Sequence, residues 1–489
     1  MLYAGIDIGT SSVKGILVDI NGNIVAKKNI QISLQTPKPG WMEQDPGEWW
    51  SATVKVIKML VAEINEPIFS LAVSGQMHSI VVLDSSGEIL RPAILWCDQR
   101  TSKQCQELTL KYGGEKEVIK ALGNPILTGF TAPKILWLKE NEPEVFQKVC
   151  TFMLPKDYII FKLTKKITTE PSDASGTSIY SPITGEYDVK MMDILNIDEK
   201  TLPPIIDSGE VVGKVTAPEL PELSETFVVQ GGADNAAAAY GCGVENPGDS
   251  MVSVGTSGTV VTVLEKPIMD FEHGVHLFNH VRKGVFYHMA VILSATNSLN
   301  WFLDRFAIDK PFSEIERIAA SKKTGANGVI FLPYLNGERT PHRDPYARGV
   351  FFGISSFNDT GDLLRSVYEG VAYALRDGYE SIIKLGDRIN SIKIVGGGSK
   401  SNIWSQIISD NFGVIMQRLS VDEGAAYGVA RLAAESSGID TSSWIKVTKS
   451  IKPISSNMKH YNKMIKLYRK LYISLKERFQ ELDEMNKGG

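Results

Sequence analysis

The sequence predicts an α/β fold built twice, with two related domains meeting around one shared ligand. Three observations carry this reading. Residues 5–19, GIDIGTSSVKGILVD, and residues 251–265, MVSVGTSGTVVTVLE, repeat one unit of strand, Gly-Thr-Ser turn and strand, 246 positions apart. Strands and helices then follow each repeat in the same order, which is the pattern of α/β layers. The chain has 489 residues, more than one ordinary hydrophobic core spans. The repeat sets the seam near residue 245, giving predicted domains 1–244 and 245–489.

In the first half, alternation of apolar residues predicts strands near 2–8, 13–19 and 24–32. Trp50, Val54, Ile57, Val61 and Ile64, spaced by three and four, predict a helix, and SLAVSG at 70–75 and IVVLD at 80–84 predict strands. The second half repeats the order. Strands are expected near 250–256, 259–264 and 285–290, then a helix through Ser294 to Phe306, a long helix near 362–384, a strand at IKIVGG and a helix from about Ser401 to Gly413. Met458, Tyr461, Ile465, Tyr468, Tyr472, Leu475, Phe479 and Leu482 predict one amphipathic helix over 455–485 that docks on its own domain, since its charges lack the e/g pattern of a coiled coil.

Formal net charge is −4 with 22% charged residues, so no basic excess points to nucleic acid and a small-molecule partner is expected. Four cysteines lie far apart with no C-x-x-C pair, which suits a reducing cytosol. Met1 leads directly into a strand, and no stretch approaches 18 consecutive apolar residues, so neither export nor membrane insertion is expected and the cytoplasm is the predicted location.

The two hairpins read as phosphate turns. Gly9 and Gly255 let an anion come close to backbone, and Thr10, Ser11 and Thr256 offer hydroxyls. Asp7 stands two residues before Gly9, whereas Ser253 occupies the matching place before Gly255, so only the first hairpin offers a carboxylate for Mg²⁺. One nucleotide with one metal is the expectation. In VVQGGADNAAAAYGCG, residues 228–243, a strand, a glycine turn, an acid and a small-residue helix follow one another. Asp234 there is either a helix N-cap or the base that takes a proton from a hydroxyl nucleophile; the two preceding glycines and Asn235 favour the base. SGQMHS, residues 74–79, ends a buried-type strand, and its Gln76 and His78 suit sugar hydroxyls. Downstream, Trp96 reads as core or site, and Arg100 as a partner of Asp98. IVGGGSKSN, residues 394–402, supplies Gly396, Gly397, Gly398 and Asn402 for adenosine. His273, His276 and His280 have metal-ligand spacing only on a helix, and VHLFNH alternates as a strand does.

With these residues in view, the chain resembles the FGGY carbohydrate kinases over nearly its whole length. The resemblance runs through GIDIGTSSVKG, WMEQDPGEWW, SGQMHS, RPAILWCDQR, GFTAPKILWLKENEPEVF, LPKDY, PSDASGT, GGADNAAAA, SVGTSGT, FLPYLNGERTPH and RGVFFGISS. It implies two actin-like (ribonuclease H-like) domains flanking an ATP and sugar cleft, ATP and Mg²⁺ as cofactors, and a homodimer. It implies phosphorylation of D-xylulose at its terminal hydroxyl, giving D-xylulose 5-phosphate. By resemblance Asp234 is the catalytic base and Asp7 the metal-associated acid; Met77, His78, Asp234 and Asn235 contact sugar; Thr10 and Thr256 hold phosphate; Gly397, Gly398, Asn402 and Trp301 face the nucleotide. Cys97, Gln99 and Ser79 depart from the family's usual residues beside the sugar loop and bear on the substrate rather than the reaction, with gluconate, ribulose or glycerol as alternatives. An actin-like ATPase that moves partners or builds filaments is the rival of another class, and such a protein needs neither SGQMHS nor GGADN.

Overall fold

The computed structural model describes every residue except 65, 390, 488 and 489. Six strands of the first half form one sheet. β1 (Leu2–Ile8), β2 (Ser12–Val18) and β3 (Ile24–Gln31) run as an antiparallel meander. β4 (Ile68–Gly75) adds parallel to β1, and β6 (Phe227–Ala233) adds parallel to β4. β5 (Val211–Lys214) closes the edge, giving the order β5-β6-β4-β1-β2-β3. The second sheet repeats this plan. Its strands are β7 (Ser250–Val254), β8 (Gly258–Leu264), β9 (His276–Asn279), β10 (Phe286–Ile292), β11 (Ser391–Val395), β12 (Ile415–Leu419) and β13 (Val447–Ile451), in the order β9-β10-β8-β7-β11-β12-β13. Again a hairpin gains an antiparallel third strand, and a later strand, β11, lies parallel to its first.

Helix α1 (Pro46–Glu63) packs on β2 and β3 and starts earlier than its apolar stripe, because Asp45 accepts from the Gly47 N–H and Pro46 fits the first helical position. Helix α2 (Pro155–Thr164) packs on β4 and β6. Helices α3 (Asp234–Gly241) and α6 (Ala425–Glu435) lie against each other, and α6 packs on β1 and β4 although it comes from late in the chain. Small residues bring them close: Ala236, Ala237, Ala239, Ala426, Ala430 and Ala433 are fully buried, and a Cβ on Gly428 would stand 1.8 Å from the Ala237 carbonyl oxygen, while Arg431 of α6 lies over the Tyr240 ring of α3 at 4.1 Å. One apolar cluster joins Tyr3, Ile16 and Ala72 of the first sheet to these helices and to Met251, Val261 and Val291 of the second.

The second half packs α4 (Thr360–Lys384) on β8 and β10, α5 (Asn402–Phe412) on α4, and the terminal helix α7 (Ser455–Lys487) on α5. Tyr461, Ile465, Tyr468, Tyr472 and Phe479 form the buried stripe of α7, so this helix docks as its periodicity predicts. Its polar contacts reinforce the docking: Tyr461 donates to Glu369, and Arg469 pairs with Asp377 and Glu380.

One local expectation is corrected. Gly231 and Gly232 do not form a turn that admits a ligand; they lie inside β6. Gly231 has φ +78°, and a Cβ there would fall 1.9 Å from the Val73 carbonyl oxygen, where the register of β6 on β4 shifts. Gly231 serves the approach of the neighbouring strand, and Gly232 makes room for Val281 of the second half, whose Cγ1 would stand 2.4 Å from a Cβ there.

Candidate functional site

The first sheet gathers its chemistry at one end. β1, β4 and β6 run parallel, with Asp7 beside Ser74 and Gly232 beside Ser74 from the other side, so the three strands end together. From those ends emerge the Gly9–Ser12 turn, the Gln76–His78 loop and Asp234. Two strand spacings put β1 and β6 about 10 Å apart, and the charge of Asp7 is felt at Asp234.

Asp234 is the first residue of α3, but the helix N-cap is Ala233, and the carboxylate makes no capping bond to a later turn. Its Oδ1 accepts from the Asn235 backbone N–H at 2.7 Å and from Asn235 Nδ2 at 2.9 Å. Its Oδ2 has no hydrogen-bond partner among the described residues. Burial, and then the neighbouring Asp7, push the carboxyl up to about 7. Behind it, Ser172 Oγ accepts the Ala233 N–H and donates to Glu170, within a buried group in which Lys156 pairs with Asp157, Glu170 and Asp173. The start of α3 is thereby fixed from inside the domain. Asp7 is different: its Oδ1 is buried without a hydrogen-bond partner, and burial raises the carboxyl against the pull of Lys14. An orphaned carboxylate oxygen beside a phosphate-type turn is chemically suited to a hard cation.

The loop after β4 is strained and heavily braced. His78 has φ +71°, a left-handed conformation that costs about 1–3 kcal/mol in a non-glycine residue. Its carbonyl oxygen accepts from Lys134 Nζ at 2.9 Å and Thr131 Oγ1 at 3.1 Å, its Nδ1 bonds the Gly176 carbonyl oxygen at 2.6 Å, and its ring stacks on Phe130 at 4.4 Å. A carbonyl only accepts, so Nδ1 carries the proton and Nε2 presents a lone pair. Burial lowers the imidazole to about 3, so the ring stays neutral. Lys134 is itself fully buried, and burial lowers its ammonium to about 7. Met77 is buried, and its Sδ is 3.9 Å from Asn235 Nδ2, so the sugar-type loop and α3 touch.

A polar relay missed by sequence reasoning links this loop to the first hairpin. Gln76 Oε1 accepts from Thr10 Oγ1, which in turn accepts from Trp96 Nε1 at 3.0 Å. Gln44 donates to the Thr10 carbonyl and accepts from Gln76 Nε2 and Trp49 Nε1. The Thr10 hydroxyl proton is therefore committed to Gln76, while Ser11, Thr256 and Ser257 stand exposed. Trp96 belongs to the site through its indole N–H. Arg100 pairs with Asp98, as expected, and also lies over Trp41 at 3.8 Å.

The second hairpin mirrors the first. β7 runs beside β11, Ser253 against Val395, so the Gly255–Ser257 turn lies next to the glycine run. The start of the helix Thr296–Arg305 joins them, with Thr296 N–H donating to the Gly255 carbonyl and Ala295 N–H to that of Thr256. Gly396 and Gly398 pack on Val254, where a Cβ would stand 3.0 and 2.4 Å from its atoms, whereas a Cβ on Gly397 would meet nothing within 4 Å. Only Gly397 leaves open space. Trp301, half-buried on that helix, stacks with Phe331 and Phe351. The Asn402 side-chain oxygen is engaged by Arg418 and Lys449. The three histidines are dispersed on other partners: His273 on Asp270, His276 on Asn124, and His280 on the Arg282 N–H.

Between the halves, a cavity of about 450 Å³ is lined by His78, Trp96 and Phe130 on one side and by His276, Glu338 and Arg339 on the other. Residues 2–241 match the N-terminal domain, and residues 250–437 the C-terminal domain, of the FGGY family of carbohydrate kinases. The chain belongs to this family. The kinase is 41% identical over 485 residues to the xylulose kinase of Staphylococcus epidermidis, covering 97% of both proteins. It also superposes on the ligand-bound xylulose kinase of Lactobacillus acidophilus with a TM-score of 0.93 at 27% identity, covering 98% of this chain and 99% of that one. The gluconate kinase of the same organism gives 0.91 at 27% identity, with 99% and 100% covered. The doubled sheets are thus the paired actin-like domains of a carbohydrate kinase. Among the described residues, no helix is long and apolar enough to cross a membrane.

Proposed function

We propose that the kinase transfers the γ-phosphoryl group of ATP to the terminal hydroxyl of D-xylulose, with Asp234 as the general base. The observation that carries this reading is Asp234 itself: a carboxylate with one free oxygen, raised to about 7, at the end of a strand beside the strained His78 loop. A base near neutral pH is matched to taking a proton from an alcohol. His78, through the Nε2 lone pair, and Asn235 and Met77 beside it would orient the sugar, with Gln76 holding the loop. The Gly9-Thr10-Ser11 and Gly255-Thr256-Ser257 turns would hold phosphates, and Gly397 would leave room for adenosine.

Asp7 would hold Mg²⁺, which offsets charge on the phosphoryl oxygens when bound. The catalysis supplied by the chain is then chiefly positioning and exclusion of water between the two halves. Several relatives are named xylulose kinases, which favours the ketopentose. A coupled assay over D-xylulose, D-ribulose, gluconate and glycerol tests the proposal. D-xylulose should give the largest kcat/KM; a larger value for gluconate or glycerol would overturn the substrate, and ATP turnover independent of any sugar would overturn the base.

A further inference from the structure

The cleft wall contributed by the second half carries a charge that has no ion-pair partner among the described residues. The Arg339 backbone N–H bonds Glu338, but its guanidinium makes no ion pair and no hydrogen bond among the described residues. Glu338 beside it acts on it through charge but forms no ion pair with it. Glu338 Oε1 accepts the N–H groups of Leu293 and Arg339, and burial pushes that carboxyl up to about 8; Arg343 is paired with Glu115 of the first half. The charge of Arg339 reaches both His78 and His276, which stay neutral because burial lowers them. A guanidinium half out of water is unfavourable unless acceptor oxygens fill the space before it.

The two walls of the cleft thus offer complementary chemistry. His78 Nε2 accepts, and suits a hydroxyl. Arg339 only donates, through a rigid fork, and suits an oxygen with nothing to donate. In an open-chain ketose, the carbonyl oxygen is the one such atom. We propose that Arg339 is a substrate-binding residue that donates to the carbonyl oxygen of an open-chain sugar held on its other side by His78. This rests on the sugar-kinase reading of the cleft and adds a specificity contact from the second half, so that the substrate itself bridges the halves.

The test compares D-xylulose with a pentitol, xylitol, in which a hydroxyl replaces the carbonyl, each used as substrate or as competitive inhibitor. In Arg339→Gln, KM for D-xylulose should rise roughly 10- to 100-fold, KM for ATP should stay unchanged, and the preference for ketose over pentitol should collapse toward one. Arg339→Lys, which keeps charge and stem without the fork, should fall between. Unchanged KM for D-xylulose, or an equal loss for ketose and pentitol, would overturn the proposal. So would a wild-type preference for an aldonate that Arg339→Gln abolishes, since the arginine would then read a carboxylate. If Arg339→Gln does not fold, Arg339→Lys carries the same comparisons. A wild-type enzyme that phosphorylates no sugar defeats the underlying reading, and that failure is visible without any variant.

Discussion

Replacing Asp234 by Asn should make the protein more stable above neutral pH while removing its activity. The carboxyl stands at about 7 against an ordinary 3.8, a gap of about three units that at 1.36 kcal/mol each caps the unfavourable contribution near ~4 kcal/mol. Solvent reaching the free Oδ2 screens part of it, leaving roughly 1–2 kcal/mol. Because the folded value is raised, the folded state holds this proton more tightly than the unfolded chain between about pH 4 and 7. Wild-type stability therefore falls across that window as pH rises, and levels off above it. Asp234→Asn lacks the titration and keeps an oxygen to accept from Asn235. Thermal melts in the absence of divalent metal should show no difference near pH 4 and an excess of a few degrees for the variant at pH 8. In the loaded enzyme at pH 8, kcat should drop roughly 10²- to 10⁴-fold. A melting difference that does not change with pH would refute the strained carboxylate, and a kcat within tenfold of wild type would refute the base.

Gly397→Ala and Gly398→Ala should separate ligand space from packing: the first, with nothing within 4 Å of its new Cβ, should raise KM for ATP at unchanged melting temperature, whereas the second, 2.4 Å from Val254 Cγ1, should lower the melting temperature. His78→Ala should raise KM for the sugar roughly tenfold or more without altering KM for ATP. Since burial holds the His78 imidazole at about 3 and Asp234 stands at about 7, the pH profile of kcat/KM for the sugar should keep its inflection near 7 in His78→Ala, and kinetics from pH 5 to 8 check both points. Gly428→Ala places a Cβ 1.8 Å from the Ala237 carbonyl oxygen and should destabilise by about 1–3 kcal/mol or more, measured by denaturant unfolding.

Local period and local turn chemistry made most of the fold legible. The duplicated hairpins, the helix of Trp50 to Ile64 and the terminal stripe from Tyr461 to Phe479 are all written in spacings of two, three or four; the hairpins and the terminal stripe form where those spacings put them, and the first helix forms shifted toward Pro46, ending at Glu63 with Ile64 beyond it. Features that depend on closure of the chain over long distances have no such period. Helix α6 comes from the second half of the chain, yet it packs on β1, because the carbonyl of Ala426 fits only against a residue as small as Gly5. Gln44 looks like any polar residue ahead of a helix until the end of β4 brings Gln76 to 3.0 Å. Gly231 and Gly232 resemble a ligand turn in one dimension because a glycine admits a neighbouring strand, or the Val281 side chain, for the same reason that it admits a phosphate. Arg339 illustrates the limit most sharply: its motif is plain in FLPYLNGERTPH, but an arginine becomes informative only when its guanidinium is seen to lack an ion pair, with Glu338 Oε1 turned to the N–H of Leu293, 46 positions before Arg339 in the chain, and Arg343 paired with Glu115.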